Sequence, residues 1–445
     1  MIGRALRALR EADVAPRIED PAKVESLYRT RRLQVLVASM VGYGLFYFCR
    51  NDLSMALEPL QKSLGLKNEE AGRIGSYFFI SYGLCKFTTG LLADRANPRT
   101  LMVTGLLLSA ACNVAFGLSS SLGVLLALWT LNGIFQSAGA PASAKVIAVW
   151  FSAGERGAKT GIWNISHQGG GGLVLLFAGF CADRFGWRGA MIVPALVALG
   201  GALVVMPFLH DRPESQGLPP IEVFSKEASS SEDEGRSFLS LFFEKILFNP
   251  RVWVIALASL CTYYVRYGAL VWIPKYLKEV RGMSSLNAGA WASLLELIGI
   301  PGALLCGWLS DRAGARRAPV VLASLLLLAL SVYGCYRVPP GHPWLDLGFL
   351  AAIGFFTYGP QMLLAGVAPV DMSQKRVAAA AVGFTGLMSY VGASASSYVT
   401  GRLLPDTGRN WEPAFDSWAV AAVVGAVLCL PLWSASPVRR APVSK

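Results

Sequence analysis

Charge is scarce in this chain: of 445 residues, Asp, Glu, Lys and Arg supply 15%, where soluble domains average about 25%. A disordered chain needs many charges and few apolar residues, so that class is excluded. One or two ordinary soluble domains are not expected either, for want of polar residues to cover them. Histidine occurs three times, and the eight cysteines are scattered without a CxxC pair. No metal site or disulfide framework is therefore expected, and the cysteines, nearly all in apolar runs, read as small buried residues. Residues 1–33 are polar and basic and lack the apolar core of a cleavable signal peptide, so none is expected. The stretch MIGRALRALR reads as a surface amphipathic helix or as a loosely ordered tail.

What the chain has instead is apolar length. The set AVILMFWYC makes 54% of it, with 46 glycines besides. Windows of about 20 mostly apolar residues, the length that crosses a bilayer, fall near 34–55, 71–93, 100–118, 122–149, 160–183 and 189–209. A second set falls near 251–276, 286–309, 318–337, 344–368, 377–403 and 414–434. Residues 210–250 are polar and contain EASSSEDEGR, a solvated linker. The expected fold is an all-α polytopic membrane protein of about twelve transmembrane helices in two six-helix halves, 34–209 and 251–434. A tail at 1–33, the linker and a tail at 435–445 are expected in the cytoplasm.

The net charge of +12 does not point to nucleic acid, because the basic residues form no soluble face. They sit in connections: Arg29, Arg31 and Arg32; Arg95 and Arg99; Arg156 and Lys159; Arg312, Arg316 and Arg317; Lys375 and Arg376; Arg439 and Arg440. With twelve spans all of these fall on one side, the side that Lys and Arg mark as cytoplasmic. Both termini are expected there.

The halves read as copies. Gly90-Leu91-Leu92-Ala93-Asp94-Arg95 recurs as Gly307-Trp308-Leu309-Ser310-Asp311-Arg312, 217 positions on. Tyr47-Phe48-Cys49-Arg50 recurs as Tyr263-Tyr264-Val265-Arg266 at an offset of 216. Repeated six-helix blocks around a central site mark an alternating-access transporter, which neither a channel nor a membrane enzyme predicts. No nucleophile–base pair or metal cluster suggests an enzyme.

A charge at mid-bilayer costs at least about 2.5–3.5 kcal/mol, so each one is a functional candidate. Arg50 and Arg266 stand at equivalent depth. If the halves face one another, both guanidiniums point into one cavity, and two always-charged forks of donors suit a phosphate. Tyr43 and Tyr47 precede Arg50 by seven and three positions, and Tyr263 precedes Arg266 by three, placing hydroxyls beside the guanidiniums. Lys86 reads either as a supporting positive charge or as half of a structural pair, and Glu296 as charge compensation and gating. His167, ahead of the run Gly169–Gly172, can donate to phosphate when protonated. That glycine run lacks the lysine and strand of a phosphate loop and reads as a close helix crossing. Asp94, Arg95, Asp311 and Arg312, at span ends, read as gating pairs that hold one conformation closed. His210 and His342, in loops, are given no role.

These residues resemble the major facilitator superfamily through the G-x-L-x-D-R signature in both halves. More narrowly the chain is similar to the organophosphate:phosphate antiporters, which include bacterial glycerol-3-phosphate and hexose-6-phosphate transporters. The segments that carry this are YFCRNDLSMAL, GLCKFTTGLLADRANPR, ERGAKTGIWNISHQGGGG, RYGALVWIPKYLKEV, GIPGALLCGWLSD, YGPQMLL and GFTGLMSYVGAS, in order from about residue 40 to 434. The resemblance implies that Arg50 and Arg266 bind the phosphoryl group with help from His167. It implies that Lys86 and Glu296 are charged positions of the cavity, lined also by Tyr43, Tyr47, Asn164, Tyr263, Tyr358 and Tyr390. It implies exchange of inorganic phosphate for a phosphate ester without a cofactor, by a monomer in a bacterial inner membrane. Sensors of external sugar phosphate in the same family are the alternative. The chain departs from the family at Gly139-Ala140-Pro141-Ala142-Ser143-Ala144-Lys145, where Ala140 replaces the usual tryptophan and reshapes the cavity.

Overall fold

In the computed structural model the described residues are 12–93, 96–225, 243–314, 316–372, 378–406 and 410–433. Asp94, Arg95, Lys375, Arg376, Arg439, Arg440 and the acidic run of the linker lie outside them. The described chain forms twelve helical crossings. The first starts at Asp20, whose carboxylate accepts from the Ala22 amide at 3.0 Å ahead of Pro21 at the first helical position. It runs Pro21–Phe48, breaks, and resumes at Asp52–Leu64. Asn68–Ala93 and Pro98–Leu118 follow. The fourth crossing is split into Leu122–Gln136 and Gly139–Trp150, and Ala153–Val205 is two helices divided at Gly186. The second set is Pro250–Glu279, the split Ser285–Leu297 and Gly299–Arg312, Arg317–Arg337, Pro343–Met362 with its extension to Asp371, Ala378–Leu403 and Glu412–Leu428.

Among the described residues nine segments are long and apolar enough to cross a membrane, and one of them, Ala153–Phe208, holds two crossings. Large apolar side chains lie exposed on them, among them Leu173, Leu304 and Val420 at 56%, 67% and 61%. Water would not tolerate such a surface, and lipid does. The twelve spans expected from apolar length are present, and the protein is a multi-pass integral membrane protein.

Two compact units are formed, 1–56 with 84–234 and 57–83 with 235–445. In the first, the glycine run brings two helices together: a Cβ on Gly170 would stand 2.6 Å from the Gly44 carbonyl oxygen. The close crossing read from Gly169–Gly172 is therefore found, between the first and fifth spans.

Residues 12–28, at and ahead of the start of the first span, dock on 210–224. Ala15 and Ile18 donate to the carbonyls of Glu214 and Gly217 at 3.0 and 2.9 Å. Tyr28 stacks on Phe224 at 4.0 Å and donates to the Pro219 carbonyl at 3.0 Å. His210 closes this clasp. Arg31 donates to its Nε2 at 2.9 Å, and a guanidinium only donates, so the ring accepts and is neutral. Burial, then the charges of Arg31 and Arg99, push its pKa down to about 4. The sequence gives His210 no role; its place under the tail makes it a pH-sensitive part of the clasp. With the folded pKa depressed, the unfolded clasp binds the extra proton, so stability is full above about pH 6.5 and is lost as pH falls toward about 4. Amide protection factors over 12–28, with the intrinsic pH dependence of exchange divided out, are expected to fall as pH drops across that window in the native protein and to lose that dependence in His210→Asn.

Candidate functional site

The first unit centres on the break at 49–51. A break frees backbone carbonyls, and in a bilayer a carbonyl without a donor costs several kcal/mol. Three buried amides answer it. Asn113, Asn132 and Gln136 donate to the Cys49 carbonyl at 3.1, 2.7 and 2.7 Å. Gln136 also donates to the Phe46 carbonyl at 3.1 Å, and Ser109 donates to Asn132 Oδ1 at 2.6 Å. The same Gln136 accepts from Arg50 Nε at 2.8 Å. One side chain thus fixes both the broken backbone and the guanidinium that follows it.

Arg50 is 5% exposed, and its guanidinium carbon lies 4.7 Å from the centre of the Tyr47 ring. Tyr47 faces Tyr43 at 5.7 Å and His167 at 5.8 Å, and Tyr43 lies 4.6 Å from Trp163. The structure therefore brings Tyr43, Tyr47, Arg50 and His167 into one group. The span read near 34–55 is interrupted, with Arg50 in the break between Pro21–Phe48 and Asp52–Leu64, and its contact with Tyr47 is kept across the break. Asn164 and Lys86 are half-buried in the fifth and second spans.

In the second unit Arg266 lies within the unbroken helix Pro250–Glu279 and is 4% exposed. Its Nε and Nη2 donate to the Tyr358 hydroxyl at 3.2 and 3.0 Å, and that hydroxyl donates in turn to Glu296. Glu296 is wholly buried and stands 3.6 Å from Arg266 Nη2. The carboxylate nearest Arg266 is thus supplied by the eighth span. A break at Ile298 and the bare backbone of Gly299 let the Tyr358 ring lie against that helix, where a Cβ would meet the ring at 2.1 Å. The guanidinium carbon is 4.7 Å from the Tyr358 ring centre and 4.8 Å from that of Tyr267. Tyr263 and Tyr390 complete the group at 5.6 Å from each other, and the Tyr82 ring lies tilted against Tyr390 at 4.5 Å.

Asp311 and Arg312 are both exposed. Arg317 joins Asp311 at 2.7 Å to Asp371 at 2.9 Å, and Arg312 lies over the Trp308 ring at 4.0 Å. Their counterparts Asp94 and Arg95 lie outside the described residues. Among the described residues no group of three or more His, Cys, Asp or Glu is placed to hold a metal ion.

Sequence reasoning missed Ser109, Asn113, Asn132, Gln136, Tyr82 and Tyr267. The amides carried a signal: each interrupts an apolar run, and Asn132 and Gln136 are one helical turn apart. Gln136→Leu should lower the unfolding midpoint in detergent by the equivalent of about 1–3 kcal/mol for the groups it orphans. Leu131→Ala, at a lipid-exposed position of the same helix, is the control expected to change it less.

The sequence profile of the Major Facilitator Superfamily matches residues 39–397. A probable hexose phosphate transport protein of Chlamydia trachomatis serovar D is 36% identical over 434 residues, 94% of each chain. The membrane sensor protein UhpC of Salmonella typhimurium is 35% identical over 430 residues, 96% of this chain and 97% of its own. Among solved structures, a bacterial homologue of the human lysosomal transporter Spinster superposes with a TM-score of 0.68 at 18% identity, over 91% of this chain and 96% of that one. The fold is therefore the twelve-helix major facilitator architecture, and the family is one of membrane transporters, not of enzymes. The chain belongs to the Major Facilitator Superfamily, within its organophosphate:phosphate antiporter family.

Proposed function

We propose that this protein exchanges a phosphate ester, a sugar phosphate or glycerol 3-phosphate, for inorganic phosphate by alternating access of its two six-helix halves. The observation that carries this reading is the shared posture of Arg50 and Arg266. Each is about 95% buried at an equivalent repeat position, and each spends its Nε on the scaffold, Gln136 in one case and Tyr358 in the other. A guanidinium tied to the scaffold in this way, Arg266 through Nη2 as well as Nε, is held in a fixed direction, which bidentate phosphate recognition needs. Tyr43, Tyr47, Asn164, Tyr263, Tyr358 and Tyr390 supply polar edges for the ester, and His167 and Lys86 add positive charge to a dianion. The relatives' names support the substrate class.

In this account Glu296 is the stand-in anion. Without substrate it balances Arg266 through Tyr358; an arriving phosphate takes over that charge and releases the carboxylate. A bound monoester or phosphate thus changes the charge balance of the core, and the loaded protein switches where the empty one does not. Asp94, Arg95, Asp311 and Arg312 act as gating pairs at span ends. The protein works as a monomer in a bacterial inner membrane with both termini in the cytoplasm.

Lysine keeps the charge and loses the fork. Arg50→Lys and Arg266→Lys should each weaken phosphate binding about 10- to 100-fold, the loss of a charge-assisted bond worth about 1.5–3 kcal/mol. Exchange of labelled phosphate in proteoliposomes measures this, and wild-type rates in both variants would sink the reading. Glu296→Gln removes the competing anion, so it should bind phosphate more tightly yet exchange more slowly.

A second reading, a membrane sensor of external sugar phosphate, is favoured by the similarity to UhpC over nearly the whole chain. Counterflow separates the two: a sensor binds the ester and exchanges little.

A further inference from the structure

The break in the first span also encloses an acid that the exchange site does not use. Asp52 opens the helix Asp52–Leu64 and is wholly buried. Its Oδ1 accepts from the Leu53 amide at 2.9 Å, and its buried Oδ2 has no hydrogen-bond partner among the described residues. No lysine, arginine or histidine of those residues pairs with it. An unpaired carboxylate shut away from water is among the costliest groups a fold can hold, so such an acid keeps its proton. The buried acid of the second unit, Glu296, has Arg266 at 3.6 Å and the Tyr358 hydroxyl to meet its charge; Asp52 has neither.

The hydrogen bonds around the break point the same way. Asn113 donates to the Cys49 and Ser109 carbonyls at 3.1 and 3.0 Å, and its buried Oδ1 is left without a donor. The buried Nδ2 of Asn51 is without an acceptor. The leftover atoms are two acceptors and one donor, and a proton on Asp52 Oδ2 turns one acceptor into a donor. The first span itself brings the Cys49 thiol and Arg50 to this region, and the third brings the Cys112 thiol. The fourth brings the amides of Asn132 and Gln136, and the fifth His167, which lies against Tyr47 at 5.8 Å. Arg50 is turned to Gln136 and the Tyr47 ring rather than to Asp52.

We propose that Asp52 is a proton-binding site linked to the anion site, its proton keeping the positive charge of Arg50 available to phosphate. Ionised, Asp52 would set a carboxylate two positions from Arg50. In a poorly screened interior that charge offsets part of the guanidinium's and repels an arriving anion. Protonated, it does neither. Proton and phosphate therefore favour one another's binding, and by linkage each raises the affinity for the other by the same factor. The proton comes from water and returns to it, and no other bond forms or breaks.

The linkage rests on the exchange reading and the proton itself does not, so the two are measured separately. Infrared spectra of the purified protein in an ester-free detergent should show, near neutral pH, the carbonyl stretch of a protonated carboxylic acid. That band should be lost in Asp52→Asn and shifted in Asp52→Glu. The amide has the shape of the neutral acid, so Asp52→Asn is expected to keep the native unfolding midpoint; should it fail to fold, the shift in Asp52→Glu decides. A band left unchanged by both substitutions, or absent from the native protein, overturns the site. Binding of inorganic phosphate is then titrated across pH in the native and Asp52→Asn proteins, so that phosphate's own ionisation cancels. As the band disappears with rising pH, the native protein should lose affinity relative to the variant by about 5-fold or more. Parallel profiles overturn the linkage alone, and no phosphate binding by either protein overturns it together with the exchange reading.

Discussion

Keeping a guanidinium away from water is the constraint around which this protein is arranged. An arginine at mid-membrane is tolerated only where something else spends its donors and balances its charge. The two units meet that demand differently. In the first, the helix is broken and the freed Cys49 carbonyl gathers Asn113, Asn132 and Gln136, and Gln136 then holds Arg50. In the second, the helix is unbroken and the balance comes through Tyr358 from Glu296. The duplication has preserved where the arginine sits while the scaffold around it has diverged.

That divergence gives the exchange account its asymmetry. Arg266 carries a buried counter-charge that can be displaced, whereas Arg50 is fixed by a neutral amide and an aromatic face. A ligand carrying two negative charges gains from both, and from Arg266 it gains by exchanging one anion for another. The bound anion thus changes the charge balance of the core, which is what a carrier that switches only when loaded requires.

Much of this was legible in the sequence because lipid simplifies the reading. Apolar windows of span length placed all twelve crossings, and the paired Tyr-x-x-Arg motifs found both arginines. The break at 49–51 was not legible: Phe48-Cys49-Arg50-Asn51-Asp52 contains neither proline nor glycine, and the interruption is held by amides 60 to 90 positions away. Glu296 was found because a lone carboxylate in an apolar run has no ordinary explanation, but its partner Arg266 required the fold.

The central claim is that binding of the phosphate group of either solute depends on the same residues, Arg50 and Arg266. Calorimetric titration of a sugar phosphate into the purified protein, with and without saturating inorganic phosphate, tests it most directly. The account predicts a single site per chain whose binding heat is abolished by phosphate and is unaffected by the unphosphorylated sugar. Undiminished binding of the ester in saturating phosphate would contradict it.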